Sequence, residues 1–364
     1  DEVYSNSNSI YAAIQTNKQE LEYIAYYLYD KKLIPKTIKE FDGLVDNFNF
    51  TDLEDGEYFY DVFLVDKTGR SAITELRSIT LDKTPPEIDY GIETESHNSY
   101  HKQDFINITS NITEQNIESI NYTLYNGSEE LIDWQYFPYE ENIVAFEDLV
   151  EGTYYYNVTV TDKIDLQGST ETRNITLDTT PPEVNFTEGM PEDNSYIIDN
   201  NLTISINVEE KNLENIIYFL YDENFNLIGE PIIFDELIEE FKFADLGDGV
   251  FYYQVIVIDK VGLEESTEIK RITLDTTLPE VSYTQHTKRN DSYVNQNYIN
   301  ISVDINEENI NSVTYALYDE NKELIFDPVE FNEIVEELKF EGLIDGTYYY
   351  DITIIDKVGL ESST

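Results

Sequence analysis

The sequence predicts an all-β protein made of four tandem sandwich domains of about 100 residues each. The first sign is a repeat: Thr-Leu-Asp recurs at 80–82, 176–178 and 273–275, at intervals of 96 and 97 residues. The second sign is alternation of apolar and polar residues with a period of two, which is typical of strands with one buried face. Solenoid repeats have units of roughly 20 to 50 residues, so the longer period indicates domains that each bury a core of their own.

The alternation defines the strands of each repeat in order. An early strand has the inward residues Ile106, Ile108 and Ile112 in copy two, Leu202, Ile204 and Val208 in copy three, and Ile299, Ile301 and Ile305 in copy four. The next has Ile24, Tyr26 and Leu28, then Ile120, Tyr122 and Leu124, then Ile216, Tyr218 and Leu220, then Val313, Tyr315 and Leu317. After an acidic-Gly turn comes a strand with Phe251, Tyr253, Val255 and Val257 inward in copy three. Short strands separated by turn signals indicate an antiparallel sandwich.

The repeats set the predicted domain boundaries at 1–84, 85–180, 181–277 and 278–364. The first copy lacks the segment that forms the first strand of the others, and the fourth stops before their last strand. We therefore expect two incomplete terminal domains in a window cut from a longer polypeptide. Thr-Pro-Pro linkers restrict the backbone and favour an extended array, because Pro fixes φ and constrains the residue before it.

Some of these residues resemble a known family. The segment Asp345-Gly-Thr-Tyr348-Tyr-Tyr350 is similar to the tyrosine corner of immunoglobulin-like domains, including fibronectin type III-like ones, with Tyr350 at the place of the second Cys. Tyr315 lies near the place of their buried Trp. The linker 177–182 and the Val-x-Asp-Lys-x-Gly element resemble tandem bacterial and archaeal immunoglobulin-like repeats of large cell-surface proteins of the adhesin or S-layer type. The resemblance implies the sandwich fold and an extracellular, cell-surface location.

The composition is strongly acidic, with 75 Asp and Glu against 22 Lys and Arg and a formal charge of −53. Nucleic acid and anionic membrane surfaces are therefore not expected as partners, because both are bound by clustered basic residues. We expect no direct membrane insertion by this segment. The charge, with many Asn, Ile and Tyr, hints at an archaeal or salt-adapted source. There is no Cys, so disulfides and thiolate metal sites are absent.

The sequence predicts a metal site at each joint between repeats. In this fold two loops of one domain face the exit segment of the preceding domain, so each joint gathers acids from both. The predicted sets are Asp82, Glu114 and Asp162; Asp178, Glu210 and Asp259; and Asp275, Glu307 and Asp356. Oxygen ligands of this kind suit Ca²⁺, the only cofactor expected. The alternatives are solvated acids, a linker Asp that only caps a turn, and pairing with the Lys after each loop Asp: Lys67, Lys163, Lys260 and Lys357.

Eleven Asn-x-Ser/Thr sequons are present, which would carry glycans in a surface-exposed chain. The candidate glycosylation sites are Asn49, Asn107, Asn121, Asn126, Asn157, Asn174, Asn185, Asn201, Asn290 and Asn300. Asn111 is a poor candidate, since it lies near the core pattern. An Asn-rich and Thr-rich composition is the alternative explanation for the sequons.

No catalytic residue is predicted, and the protein is not expected to be an enzyme. The pair His97 and His101 lies in a turn-rich segment without a helix to align the two rings, so we expect a surface loop. The predicted function is a structural stalk, adhesin shaft or envelope-layer element, with copies of itself, neighbouring cell-surface proteins or glycans as partners. One alternative is a self-assembling filament or sheath subunit that uses strand donation between chains. Another is a glycan-binding module using the outward aromatics Phe59, Tyr155, Tyr252 and Tyr349.

Overall fold

The computed structural model describes residues 3–17, 20–139 and 141–364, and it contains strands and turns but no helix in these residues. The all-β prediction is therefore confirmed. The chain forms two compact units, Asp1–Thr179 and Thr180–Thr364, which are described separately. Unit 1 contains the first two copies of the sequence repeat and unit 2 the last two; we call these copies repeats 1 to 4.

The strands of unit 1 follow the repeat. Repeat 1 contains β1 (Tyr4–Ser5), β2 (Ile10–Ala13), β3 (Leu21–Asp30), β4 (Pro35–Asp42), β5 (Asn47–Phe50), β6 (Gly56–Asp66), β7 (Ser71–Ile73) and β8 (Arg77–Leu81). Repeat 2 contains β9 (Glu87–Tyr90), β10 (Ser99–His101), β11 (Ile106–Thr113), β12 (Ile117–Tyr125), β13 (Leu131–Phe137), β14 (Ile143–Phe146), β15 (Gly152–Asp162), β16 (Gln167–Ser169) and β17 (Arg173–Leu177).

The strands of unit 2 have the same order. Repeat 3 contains β18 (Glu183–Phe186), β19 (Ser195–Ile197), β20 (Leu202–Glu209), β21 (Leu213–Tyr221), β22 (Ile232–Phe234), β23 (Glu240–Phe243), β24 (Gly249–Asp259), β25 (Glu264–Ser266) and β26 (Lys270–Leu274). Repeat 4 contains β27 (Glu280–Tyr283), β28 (Tyr298–Asn306), β29 (Ile310–Tyr318), β30 (Val329–Phe331), β31 (Glu337–Glu341), β32 (Tyr349–Asp356) and β33 (Glu361–Ser363).

Each repeat is an immunoglobulin-like sandwich of two sheets. In repeat 2 one sheet has the order β14-β11-β9, and the other has the order β10-β17-β15-β12-β13, with β16 also paired to β15. Strand β10 runs parallel to β17, and the other pairs of this repeat are antiparallel. Repeat 3 has the same order, with β18-β20-β23 as its smaller sheet. Some chain-adjacent strands lie in different sheets, such as β11 and β12 or β14 and β15, as in the Greek-key connections of immunoglobulin-like domains.

The core of each repeat is built around one tyrosine that spans the two sheets. These tyrosines, Tyr26, Tyr122, Tyr218 and Tyr315, are fully buried, as the alternation predicts. Each hydroxyl donates to a backbone carbonyl before the strand opposite: Val45, Glu141, Ile238 and Val335 respectively. A buried Tyr hydroxyl needs such a partner, so the ring fills the core while its polar end remains hydrogen-bonded.

The predicted inward residues of the early strand face the core, but the prediction omits one buried position per strand. Ile112, Val208 and Ile305 are half-buried and pack against the core of their repeats. The omitted positions, Ser110, Ile206 and Val303, are buried. The inward positions therefore run at consecutive intervals of two, and the last predicted residue lies where the strand leaves the core toward its loop.

The tyrosine corner is present in three repeats. The hydroxyls of Tyr58, Tyr154 and Tyr348 donate to the carbonyl oxygens four residues earlier, at distances of 3.0, 2.6 and 2.6 Å. Before Tyr154 the chain turns at Gly152, whose φ of 148° favours glycine. Repeat 3 has Phe251 at this position, which has no hydroxyl.

Replacing Tyr154 with Phe is expected to lower the free energy of unfolding by about 1 kcal/mol, because one hydrogen bond is lost while the ring remains. Phe251 shows that this position accepts a Phe ring in the same fold. Urea denaturation measures the change. Tyr155→Phe, on the neighbouring half-buried residue, is the control and should change stability by less than about 0.5 kcal/mol. Equal effects of the two substitutions would contradict the assignment of the corner.

Candidate functional site

Two carboxylate clusters of the same composition lie one in each unit. The first carboxylate cluster is Asp82, Glu114 and Asp162, and the second is Asp275, Glu307 and Asp356. In each cluster, one oxygen from every carboxylate lies within 4.8 Å of the other two. The structure thus brings together two of the three predicted sets.

The elements that carry these residues explain why they meet. In the first cluster, Asp82 directly follows β8 of repeat 1, Glu114 directly follows β11 of repeat 2, and Asp162 ends β15. The second cluster is built from the same places: after β26, after β28 and at the end of β32. One repeat therefore supplies the linker aspartate, and the next supplies two loop carboxylates.

The loop aspartate uses one oxygen to hold its own hairpin. Asp162 Oδ1 accepts hydrogen bonds from the backbone N–H groups of Ile164 and Leu166, at 2.9 and 2.8 Å. Asp356 Oδ1 accepts the equivalent bonds, also at 2.9 and 2.8 Å. The other oxygen, Oδ2, is buried in both aspartates and has no hydrogen-bond partner among the described residues. A buried carboxylate oxygen without a partner is costly.

The linker aspartate is held by an asparagine of the next repeat. Asn116 Nδ2 donates to Asp82 Oδ2 at 2.7 Å, and Asn309 Nδ2 donates to Asp275 Oδ2 at the same distance. The backbone N–H of each Asn donates to the cluster glutamate, at 2.5 Å for Glu114 and 2.6 Å for Glu307. Sequence analysis missed these asparagines, although an Asn follows each cluster Glu by two residues.

The second cluster is electrostatically unfavourable by itself. Burial raises the pKa of Glu307, and the negative charges of Asp275 and Asp356 raise it further. Among the described residues, no Lys, Arg or His forms an ion pair with any of the six cluster carboxylates. The alternative in which the Lys after the loop aspartate pairs with a cluster acid therefore has no such ion pair to support it in these two joints.

That Lys instead contacts a tyrosine of the preceding repeat. The Lys163 ammonium donates to the Tyr4 hydroxyl at 2.9 Å and lies 4.9 Å from its ring centroid. Lys357 makes the same contacts with Tyr196, at 3.0 and 4.6 Å. The hydrogen bond from Lys357 lowers the pKa of Tyr196. Cation–π contacts of this kind add stability at a partly exposed joint.

The linker also folds back on its own repeat. Thr84 Oγ1 donates to Asp55 Oδ2 at 2.6 Å, and Lys83 pairs with the same carboxylate at 3.3 Å. In repeat 3 the hydroxyls of Thr276 and Thr277 donate to Asp248, and the Thr277 hydroxyl lowers the pKa of that carboxyl. The acid of each acidic-Gly turn thus anchors the linker.

The predicted middle set falls on both sides of the division between the units. Asp178 belongs to unit 1, whereas Glu210 and Asp259 belong to unit 2, and this set stays a prediction. Within unit 2, Asp259 repeats the loop pattern: Oδ1 accepts from Val261 and Leu263, and Oδ2 is buried without a partner among the described residues.

The sequons differ in exposure. Asn49, Asn107, Asn185 and Asn290 are exposed, whereas Asn121, Asn126, Asn157, Asn174, Asn201 and Asn300 are half-buried. Asn111 is exposed, so the expectation that it lies near the core is wrong. Glycosylation itself stays a prediction. The four exposed asparagines are the best placed.

Two further surface predictions are changed by the structure. Tyr252 is stacked on Phe225 with ring centroids 4.1 Å apart, so one face of the predicted sugar platform is covered; Phe59 and Tyr155 are half-buried, and only Tyr349 is exposed. His101 is not in a loop but ends strand β10, where its Nε2 lies 3.4 Å from Glu95 Oε2.

The part of the chain that the structure describes contains no helix that could span a membrane. No family model matches the sequence. No curated protein matches it either.

Solved structures with some similarity include the fibronectin(III)-like modules of Clostridium thermocellum CbhA, at 13% identity and a TM-score of 0.28, covering 52% of this chain and 93% of that one. Another is the FN1-FN3 segment of chicken CNTN1, at 13% identity and a TM-score of 0.26, covering 77% of this chain and 97% of that one. The fold assignment rests on the strand order of the chain itself.

Proposed function

We propose that this chain is a structural, non-catalytic segment of an acidic extracellular protein, in which sandwich domains at 1–84, 85–180, 181–277 and 278–364 set a fixed spacing. Such a segment would serve as a stalk, adhesin shaft or envelope-layer element at the cell surface. One observation carries the proposal: the same joint is built twice, once in each unit. A linker that only connected two independent domains would not need these contacts.

The repeated joint has three parts. The linker threonines are held by the acid of the acidic-Gly turn. The linker aspartate accepts a hydrogen bond from Asn116 or Asn309. A lysine reaches back to a tyrosine of the preceding repeat. Together these contacts restrain both the linker and the domain that follows it.

Pulsed electron paramagnetic resonance tests the joint of unit 1. The chain has no Cys, so two introduced cysteines are its only labelling sites. Glu40→Cys in β4 and Asp133→Cys in β13 place the spin labels at exposed positions. We expect one narrow distance distribution, which broadens when Asn116→Ala and Lys163→Ala are combined. The matched control is Asn107→Ala with Lys102→Ala, which alters exposed residues of repeat 2 outside the joint. A distribution that is broad before any joint substitution, with Ca²⁺ present as well as without it, would contradict the proposal.

The filament and glycan-binding alternatives predict different behaviour of the same chain. Long regular fibres seen by electron microscopy would favour strand donation between chains. Sugar binding that is lost in Tyr349→Ala without unfolding would favour a glycan-binding module. Because Phe225 covers one face of the Tyr252 ring, the structure supports the glycan-binding alternative less than the sequence does.

A further inference from the structure

The strongest unexplained feature of the molecule is the pair of buried oxygens at the joints. Asp162 and Asp356 are almost completely buried, at 0% and 1% exposure. In each, Oδ1 is used by the hairpin, and Oδ2 has no hydrogen-bond partner among the described residues. Each spare oxygen belongs to a carboxylate cluster with two other acids. A buried anion of this kind requires a positive partner or a metal ion.

Repeat 1 shows how the same loop is built when a cation of the protein neutralises it. Its loop aspartate, Asp66, accepts the same backbone hydrogen bonds through Oδ1, but its Oδ2 lies 3.4 Å from Arg70 Nε. The residues equivalent to Arg70 are leucines in the other three repeats: Leu166, Leu263 and Leu360. The residue at the position of the cluster glutamate is Lys18 in repeat 1, whose placement lies outside the described residues.

Repeat 1 therefore differs from repeats 2 and 4 at two positions of the same site. Repeat 1 has two basic residues where repeats 2 and 4 have a leucine and a glutamate. In repeats 2 and 4 an aspartate from the preceding repeat completes a set of three carboxylates. Removing a protein cation while adding acids is the pattern expected if a cation from solution takes its place.

The donor set decides which cation. The clusters offer carboxylate oxygens without His or Cys, which suits a hard cation and not Zn²⁺. Oxygens on opposite sides of Ca²⁺ are separated by roughly 4.6 to 5.2 Å, which is twice its ligand distance. Separations of up to 4.8 Å between the cluster oxygens fit within that distance. Mg²⁺ demands a smaller and more regular octahedron, so it fits a three-carboxylate cage less well.

We propose that the first and second carboxylate clusters each bind one Ca²⁺, with the linker aspartate and two loop carboxylates as ligands. The ion would tie the exit of one repeat to the loops of the next. Its binding does not depend on the proposed function, but its role in fixing the spacing of the repeats rests on it. Backbone carbonyls and water complete the coordination of such a site.

Isothermal titration calorimetry of the full chain tests the proposal. The chelator-treated protein is titrated with CaCl₂, and separately with MgCl₂, in NaCl matched for ionic strength. We expect saturable Ca²⁺ binding, with at least two ions per chain and weaker binding of Mg²⁺. Glu114→Gln and Glu307→Gln, on half-buried residues, are each expected to remove one ion or to weaken its binding about tenfold or more, since site affinity follows the number of charged ligands.

Two further variants make the outcome specific. Asp162→Asn keeps Oδ1 as the acceptor for the hairpin but removes the charge, so it should also remove one ion; circular dichroism confirms that it folds. Asp66→Asn, at the same loop position in repeat 1, is the matched control and should leave the number of ions unchanged. Unchanged Ca²⁺ binding in the double variant Glu114→Gln/Glu307→Gln would overturn the proposal. Heat that disappears when NaCl is matched would overturn it as well.

The spin-label distances separate this proposal from the proposed function. If Ca²⁺ binds but the distribution of spin-label distances stays broad, the site is upheld and the fixed spacing is contradicted. A narrow distribution in a protein that binds no Ca²⁺ would uphold the spacing and overturn the site.

Discussion

Replacing Tyr218 with Ala is expected to lower the free energy of unfolding of unit 2 by about 3 to 5 kcal/mol. The ring is fully buried and packs against Phe234 and Phe241, with ring centroids 6.1 and 5.5 Å away. The substitution leaves a cavity between the two sheets, and it also removes the donor to the Ile238 carbonyl oxygen. Urea denaturation followed by near-ultraviolet circular dichroism measures the change.

Tyr293→Ala is the control, because that side chain is fully exposed in the same unit. It should change stability by less than about 0.5 kcal/mol. A loss below about 1 kcal/mol in Tyr218→Ala would mean that the sandwich of repeat 3 is not packed around this ring.

The second large effect is expected in alkali. Burial raises the pKa of Tyr26 to about 12 and that of Tyr315 to about 12. It also raises the pKa of Tyr122 and Tyr218. A raised pKa means that the folded state binds the phenolic proton more tightly than the unfolded chain does, whose tyrosines titrate near pH 10.

The stabilisation from Tyr26 and Tyr315 is therefore fully present below pH about 10 and is lost as the pH rises through about 12. The raised pKa of Tyr122 and of Tyr218 acts in the same direction. We expect the melting temperature to fall steeply over this interval, with tyrosinate absorbance rising together with unfolding. Tyr315→Phe should reduce the pH dependence of unit 2, because the group that titrates is removed while the ring stays. A melting temperature that is constant from pH 9 to 12 would contradict the buried, hydrogen-bonded positions of these hydroxyls.

Local alternation was sufficient to predict the centre of each sandwich. The triplet Ile24, Tyr26 and Leu28 and its copies are buried because strand side chains alternate strictly between two faces. The same rule placed Ile112 and its equivalents on the inner face, where they pack against the core but are only half-buried, because the strand leaves the core at that point. Strand ends depend on how the loops pack, which a period of two does not encode.

The candidate site was predictable in part for a related reason. The convergence of Asp82, Glu114 and Asp162 follows from the connections of the fold, so the topology was enough to place them together. The Asn116 amide and the contact of Lys163 with Tyr4 were missed, because both depend on side-chain directions across a joint. The available signal was the recurrence of Glu-x-Asn in three repeats, because an Asn that recurs at the same place after the loop Glu indicates a role in the conformation of the joint.

We propose that these repeats are separately folded domains that set a fixed spacing along one chain. Single-molecule force spectroscopy of the full chain, held by its two ends, tests it most directly. The account predicts a series of separate unfolding events, each releasing roughly 300 Å, since a repeat of about 96 residues extends by at most ~3.6 Å per residue. One event that releases the whole chain, or extension without any resisting event, would contradict it.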